Sequence, residues 1–292
     1  MYRNLKKITL LASLLFCLKS VGQENELMIP SAVKDSLYIH EIENKNEVDK
    51  VLHAEPLFID LIRDLGARKG EEEWNVGMGL TDKNKYDLYT ALIEYEFAPI
   101  DRLGLEIELP FSFYYSANPF HSKKRSKLNG LKLAGQYSFY VSEKNKTSMA
   151  FGYIHETEFT EFQNYSKSKW ITGTIYNPFF IVAKRFGNNY HTLLYTGPMF
   201  HQSYNQKPFA TTYQINLNFH YMISGTRNFI GLEVNKELEN NKLNTILRPQ
   251  MRVGIAENMM VGIVTGVPLQ KEKERLSSFI RLIYEPGHKV IN

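Results

Sequence analysis

Three groups of residues have the types and spacing that chemistry requires. His201 and Ser203 stand two apart, and on a β-strand that spacing puts a base and a nucleophile on one face, with Asn216 or Asn218 a strand later to orient the imidazole. No oxyanion donor is recognisable beside them, and two residues so spaced recur by chance, so the expectation is a protein that is not an enzyme. His53-Ala54-Glu55 offers an imidazole and a carboxylate. A metal site needs further ligands at a diagnostic spacing and none follows, so the segment is read as structural and no metal or other cofactor is expected. The third group is acidic: Glu94 and Glu96, then Glu106 and Glu108, could hold a cation or exchange a proton. The preferred reading is a ladder of carboxylates balanced by Lys132, Arg248 and Arg252 across a narrow polar interior, where opposite charges offset one another.

The acids of the third group, and Asn216 and Asn218 of the first, lie on segments with a period of two, the repeat of a strand. Tyr213, Ile215, Leu217, Phe219, Tyr221 and Ile223 share a face, and Gln214, Asn216, Asn218 and His220 share the other. Trp74 to Leu80, Tyr89 to Phe97, Leu103 to Phe113, Leu131 to Val141 and Thr245 to Ile255 alternate in the same way. Their polar faces carry the four acids, Lys132, Gln136, Arg248 and Arg252. Strands wet on one side, apolar on the other and aromatic near their ends fit a bilayer crossing. Thr172 to Arg185 and His191 to Tyr204 have strand composition, but Pro178 and Pro198 predict bulges or rims there. Short turns such as Pro99–Arg102 and Ser142–Lys146 alternate with longer polar connections around Asn118–Lys127 and Asn164–Lys169.

Residues 1–22 read as a secretory signal peptide: Arg3, Lys6 and Lys7, then a short apolar run, then Ser20-Val21-Gly22. Removing it takes away four of the 35 basic residues and no acid, leaving 31 against 31, so the net charge gives no support to nucleic-acid binding. The only cysteine, Cys17, leaves with it, and no disulfide framework is possible. No apolar run reaches the length of a membrane helix, which leaves a closed barrel as the way to satisfy the backbone in lipid. Residues 23–70 form a lead-in, periplasmic or plugging the lumen, in which Leu57, Phe58, Leu61, Ile62 and Leu65 recur at helical spacing before Gly66. Residues 71–292 form the barrel, its closing strand ending at Tyr284. The expected fold is all-β: a transmembrane antiparallel up-and-down barrel of about twelve strands with a short helical or irregular lead-in. A soluble sandwich or lipocalin-like barrel would share the alternation, but not the length and aromatic ends of these strands.

The segment from His53 to Gly70, with Glu73-Trp-Asn-Val-Gly77 and Tyr95 to Pro110, resembles a group of Bacteroidota outer-membrane barrels, itself loosely similar to transporters of the kind named for phenol-degradation pathways. The resemblance is best over residues 51 to 115. It implies a barrel pore in the bacterial outer membrane and carries over no functional residue. His201-Gln-Ser203 is similar in miniature to the His-x-Ser of outer-membrane phospholipase A and lipid A deacylases, but the phospholipase pattern continues Ser-Asn-Gly whereas Ser203 is followed by Tyr204-Asn205. The functional expectation is passage or binding of a small solute. A structural barrel with a filled lumen is the alternative, and a lipid hydrolase using His201 and Ser203 the second. The expected partners are outer-membrane lipid, the barrel assembly machinery and a small solute.

Overall fold

The structure, a computed structural model, describes residues 30–43, 47–59, 61–116, 124–166, 169–204, 209–270 and 274–287. The expected signal peptide lies outside them. Helix α1 (Ser31–Ile42) is followed by irregular chain and then by strands β1 (Glu72–Lys83), β2 (Asp87–Ile100), β3 (Leu103–Tyr115), β4 (Lys127–Leu128), β5 (Gly130–Ser142), β6 (Thr147–Phe159), β7 (Ile171–Phe186), β8 (Tyr190–Ser203), β9 (Ala210–Met222), β10 (Phe229–Glu239), β11 (Lys242–Ala256), β12 (Met259–Pro268) and β13 (Glu274–Tyr284). Each long strand pairs antiparallel with its neighbours, and Trp74 to Lys83 of β1 pair with β13, closing the sheet. Twelve long strands thus form an up-and-down barrel, with the two-residue β4 hung on β3.

The alternation read from the sequence fixes which face turns outward. On β9, Phe219 is 52% exposed and Asn218 1%. Exposed aromatic, isoleucine and leucine side chains cover the outside of the wall, including Trp74, Ile93, Phe151 and Ile280, whereas charged and amide side chains line the inside. An apolar exterior around a polar interior is the reverse of a soluble barrel, and it places the protein in the outer membrane.

Pro178 and Pro198 make neither a bulge nor a rim. They lie opposite each other: Tyr176 pairs with Phe200 and Phe180 with Thr196 in one unbroken register, and the ladder is simply open between these pairs. Proline has no N–H to give, and aligning two prolines on the same ladder leaves the outer ladders to β6 and β9 continuous. Asn177 partly fills the gap, its Nδ2 donating to the Pro198 carbonyl at 3.0 Å while its Oδ1 accepts from Tyr195 Oη at 2.8 Å. The alternation of short and long connections is also only partial. The β10–β11 turn, on the side of the long loops, is Asn240-Asn241, both at positive φ, the geometry of a two-residue hairpin.

The lead-in differs most from expectation. The helix is α1, in a stretch without clear periodicity, and the helically spaced run from Leu57 to Leu65 is irregular. Pro56 cannot supply an amide there, and the amides that a helix would use are taken by barrel side chains: Leu57 N donates to Gln250, Ile59 N to Glu233 and Arg63 N to Glu96, at 2.9, 3.0 and 2.6 Å. Arg63 and Gly66 have φ of 62° and 82°, which end any helical turn. Leu61, Ile62 and Leu65 pack on an inner-wall patch that includes Ala150, Phe179, Ile181 and Leu193, and Ala54 and Leu57 pack on a second one with Phe229, Met260 and Val264. Gly262 makes room for Leu57, since a Cβ there would lie 2.6 Å from its Cδ2. Outside the barrel, α1 rests on the Ile223–Asn228 turn through Asp35, which accepts from Gly225 N at 2.9 Å.

Candidate functional site

Strand register gathers the acids into a square. Glu94 of β2 lies opposite Glu108 of β3, and Glu96 opposite Glu106. On one side β1 adds Asn75 beside Glu94 and Glu73 beside Glu96. On the other, β5 adds Lys132 beside Glu108. All seven side chains are buried. Lys132 contacts Glu108 and lies 3.1 Å from Glu106. The other two cations near the square were not evident in the sequence. Arg281 of β13 approaches Glu94 at 3.5 Å, and Arg63 of the lead-in donates to Glu73 at 2.7 Å. Arg281 could have been found from the alternation of β13. Arg63 could not, because an irregular segment has no face to read.

Arg248 and Arg252, expected to balance the acids, are buried on the inner face but turn to other partners. Arg248 Nε donates to Asn235 at 2.7 Å and its guanidinium stacks 3.3 Å over the ring of Phe58. Arg252 donates to the Arg227 carbonyl and covers Phe229. The remaining inward residues join the same web. Gln136 Nε2 donates to the Arg63 carbonyl, Asn216 Oδ1 accepts from Asn235, and His220 meets Gln250 at 2.9 Å and Phe229 edge to face. Asn218 is buried and Gln214 half-buried, its Oε1 3.5 Å from Asn177 Nδ2.

His53 and Glu55 lie within the lead-in. His53 Nε2 meets Ser148 Oγ at 3.0 Å, and the neighbouring Ala54 N donates to His191 Nδ1 at 3.0 Å. Burial, with His191 and Arg185 next, holds the His53 ring well below its ordinary range, so it is neutral. Glu55 is hydrogen-bonded to Asp64. Burial pushes the Glu55 carboxyl well up and the Asp64 charge adds to it; burial also opposes the Asp64 charge, but Lys50 and Arg63 outweigh it and hold Asp64 well down. The shared proton therefore rests on Glu55. Lys50 is 2.6 Å from Asp64 and 2.7 Å from Glu71. These groups border a cavity of about 720 Å³ at the end of the barrel where the chain enters.

The His201 and Ser203 pair is not assembled as a catalytic site. His201 Nε2 is 2.6 Å from Glu158 Oε2, across Gly173, and Ser203 is not its partner. In the β8–β9 register Asn216 lies opposite Tyr195 and Asn218 opposite Leu193, well along the strand from His201, which pairs with Ala210.

A family model described as HAEPLYID-like matches residues 49–285. The chain belongs to that family. The letters of the description match His53 to Asp60 at every position but Phe58, and Ala54, Leu57 and Ile59 of that stretch are hydrogen-bonded to the inner wall. The barrel is similar to the COG4313 outer membrane channel from Pseudomonas putida F1, with a TM-score of 0.61 at 14% identity over 78% of this chain and 99% of that one. It is also similar to the KdgM porin in complex with disordered oligogalacturonate, with a TM-score of 0.51 at 14% identity over 73% of this chain and 98% of that one. No curated protein sequence matches the chain. At these identities the likeness is one of fold, and the fold is that of outer-membrane channels.

Proposed function

We propose that this HAEPLYID-like protein is an outer-membrane channel for a small solute, closed at rest by its own lead-in. One observation carries the reading: residues 53–66 give backbone N–H groups to inward side chains of β2, β5, β8, β10 and β11, around the barrel. A segment bound by many single hydrogen bonds to a polar wall, each worth about 0.5–1.5 kcal/mol net, can be displaced as a unit without unfolding the strands. The inward residues Glu94, Glu96, Glu106, Glu108, Lys132, Gln136, Gln214, Asn216, Asn218, His220, Arg248 and Arg252 then set the field that a passing solute meets. The channel kind of the solved neighbours supports this reading, and KdgM, captured with an oligogalacturonate, is an example of such a barrel holding a polar ligand.

Conductance in planar bilayers tests it. The intact protein should show small or rare steps, and a variant with residues 53–66 replaced by a Gly-Ser linker should show larger, steady ones. Equal silence from both, with the variant confirmed as folded, would favour a structural barrel filled by its own side chains. In the open variant, Glu106→Gln with Glu108→Gln should shift ion selectivity away from cations.

A further inference from the structure

We propose that the carboxylate square on the inner wall of β1–β3 is a divalent cation site, of the hard, oxygen-rich kind that Ca²⁺ occupies, with Glu94, Glu96 and Glu106 as ligands and the Asn75 carbonyl oxygen beside them. One ligand oxygen from each of the three glutamates lies within 4.8 Å of the others. Oxygens bound to one Ca²⁺ at about 2.3–2.6 Å have that spread.

Charge alone would not carry the inference; unsatisfied atoms do. Glu106 is 2% exposed; its Oε1 lies 3.1 Å from Lys132 Nζ, and its Oε2 accepts no hydrogen bond among the described residues. Glu94 Oε2 is likewise without a donor. Asn75, which is not an acid, is 0% exposed. Its Nδ2 donates to Glu94 and Glu96 at 2.7 and 3.2 Å, which sets its amide head in the square, yet its Oδ1 has no donor. Buried oxygens without donors are rare because each costs its full desolvation. Three of them, Glu106 Oε2, Glu94 Oε2 and Asn75 Oδ1, on neighbouring residues of one buried cluster are what a cation would resolve.

The charges agree in size. Glu73, Glu94, Glu96, Glu106 and Glu108 are five acids, and Arg63, Lys132 and Arg281 are the cations that reach them among the described residues, so the cluster with every group ionised would carry an excess of two negative charges. Like charges directly opposite on adjacent strands destabilise a sheet, and here two such pairs are stacked. A divalent ion removes the excess. It would also tie β1, β2 and β3 together beside Arg63, and so couple the wall to the lead-in. A cavity of about 20 Å³ touches Glu73, Glu96 and Arg281, so there is space at the edge of the cluster.

The test uses the full-length mature barrel, folded in detergent, stripped with a chelator and titrated calorimetrically with CaCl₂, with bound metal counted by mass spectrometry. The expected result is one Ca²⁺ per chain, a higher unfolding temperature on adding Ca²⁺, and loss of both in Glu94→Gln with Glu106→Gln. Glu156→Gln, on the same wall but outside the square, should leave binding intact. If the double variant does not fold, the near-isosteric Glu106→Gln alone should weaken binding about tenfold or more, as expected when ligand charge is reduced. Absence of binding and of any thermal shift in the wild type would overturn the proposal and mean that shared protons neutralise the square. Binding that survives the double change would overturn it too, by placing the ion elsewhere. Neither readout depends on conductance, so the channel reading stands or falls separately.

Discussion

Arg63 does more than any other residue to join the lead-in to the wall. Its backbone N–H donates to Glu96, its guanidinium to Glu73 and Asp64, and its carbonyl accepts from Gln136. Removing one partner of a buried ion pair leaves an uncompensated charge, so Arg63→Ala should cost about 3–5 kcal/mol and release the segment to proteolysis while the barrel stays folded. Uncleaved lead-in in that variant would show that the apolar contacts hold it alone. His53 gives a pH dependence whose sign can be fixed. Its folded ring titrates well below the ordinary 6.5, so the folded state binds fewer protons than the unfolded one. Its contribution is complete above about pH 6.5 and is lost as the pH falls below that value. The lead-in should therefore be cleaved more readily at pH 5 than at pH 7.5, and His53→Asn should flatten the profile; an equally steep profile would assign the effect to another group. Ser203→Ala should change nothing measurable, because His201 is engaged by Glu158, and the wild type should not hydrolyse phospholipid or lipid A esters. Ester hydrolysis lost with Ser203 would restore the enzyme reading.

At the scale of single elements, β9 gives a direct test of facing. Phe219 and Leu217 turn outward, and Asn218 lies between them on the buried face. Arginine at Leu217 should cost about 2–4 kcal/mol if that residue sits near the bilayer midplane, and arginine at Asn218, in a polar interior, much less. Chemical unfolding of both variants in lipid vesicles measures this, and equal costs would refute the assignment. The strands were legible because each needs only a period of two to reveal its faces, as in Tyr213 to Ile223. The open ladder between β7 and β8 was not. Pro178 and Pro198 each forecast a disruption, but only the register shows that they face one another and share a single gap.

Among the described residues the molecule is a closed sheet whose inner wall is contacted by its own lead-in. Closure pairs every long strand on both sides and resists detergent denaturation, so unheated samples should migrate faster on gels than boiled ones, and the protein should fractionate with outer membranes. Recovery as a soluble periplasmic species would exclude the barrel. By itself the sequence determined the wall: strand number, the inward placement of the acids, Lys132 and the amides, the lipid-facing aromatics, and the closing strand that ends at Tyr284. Those follow from alternation, a local property that each strand displays alone. Tertiary structure decided the interior. Leu57, Phe58, Leu61, Ile62 and Leu65 have helical spacing, yet the lumen offers Gln250, Glu233 and Glu96 to the amides and two apolar patches to the side chains, and those partners, distant in sequence, outweigh local propensity. For the same reason the acids were assigned the wrong arginines. Arg248 and Arg252 share their inward phase, but only the closing of β13 onto β1 and the entry of the lead-in bring Arg281 and Arg63 within reach of the carboxylates, because no periodicity encodes which inward residues meet across a barrel.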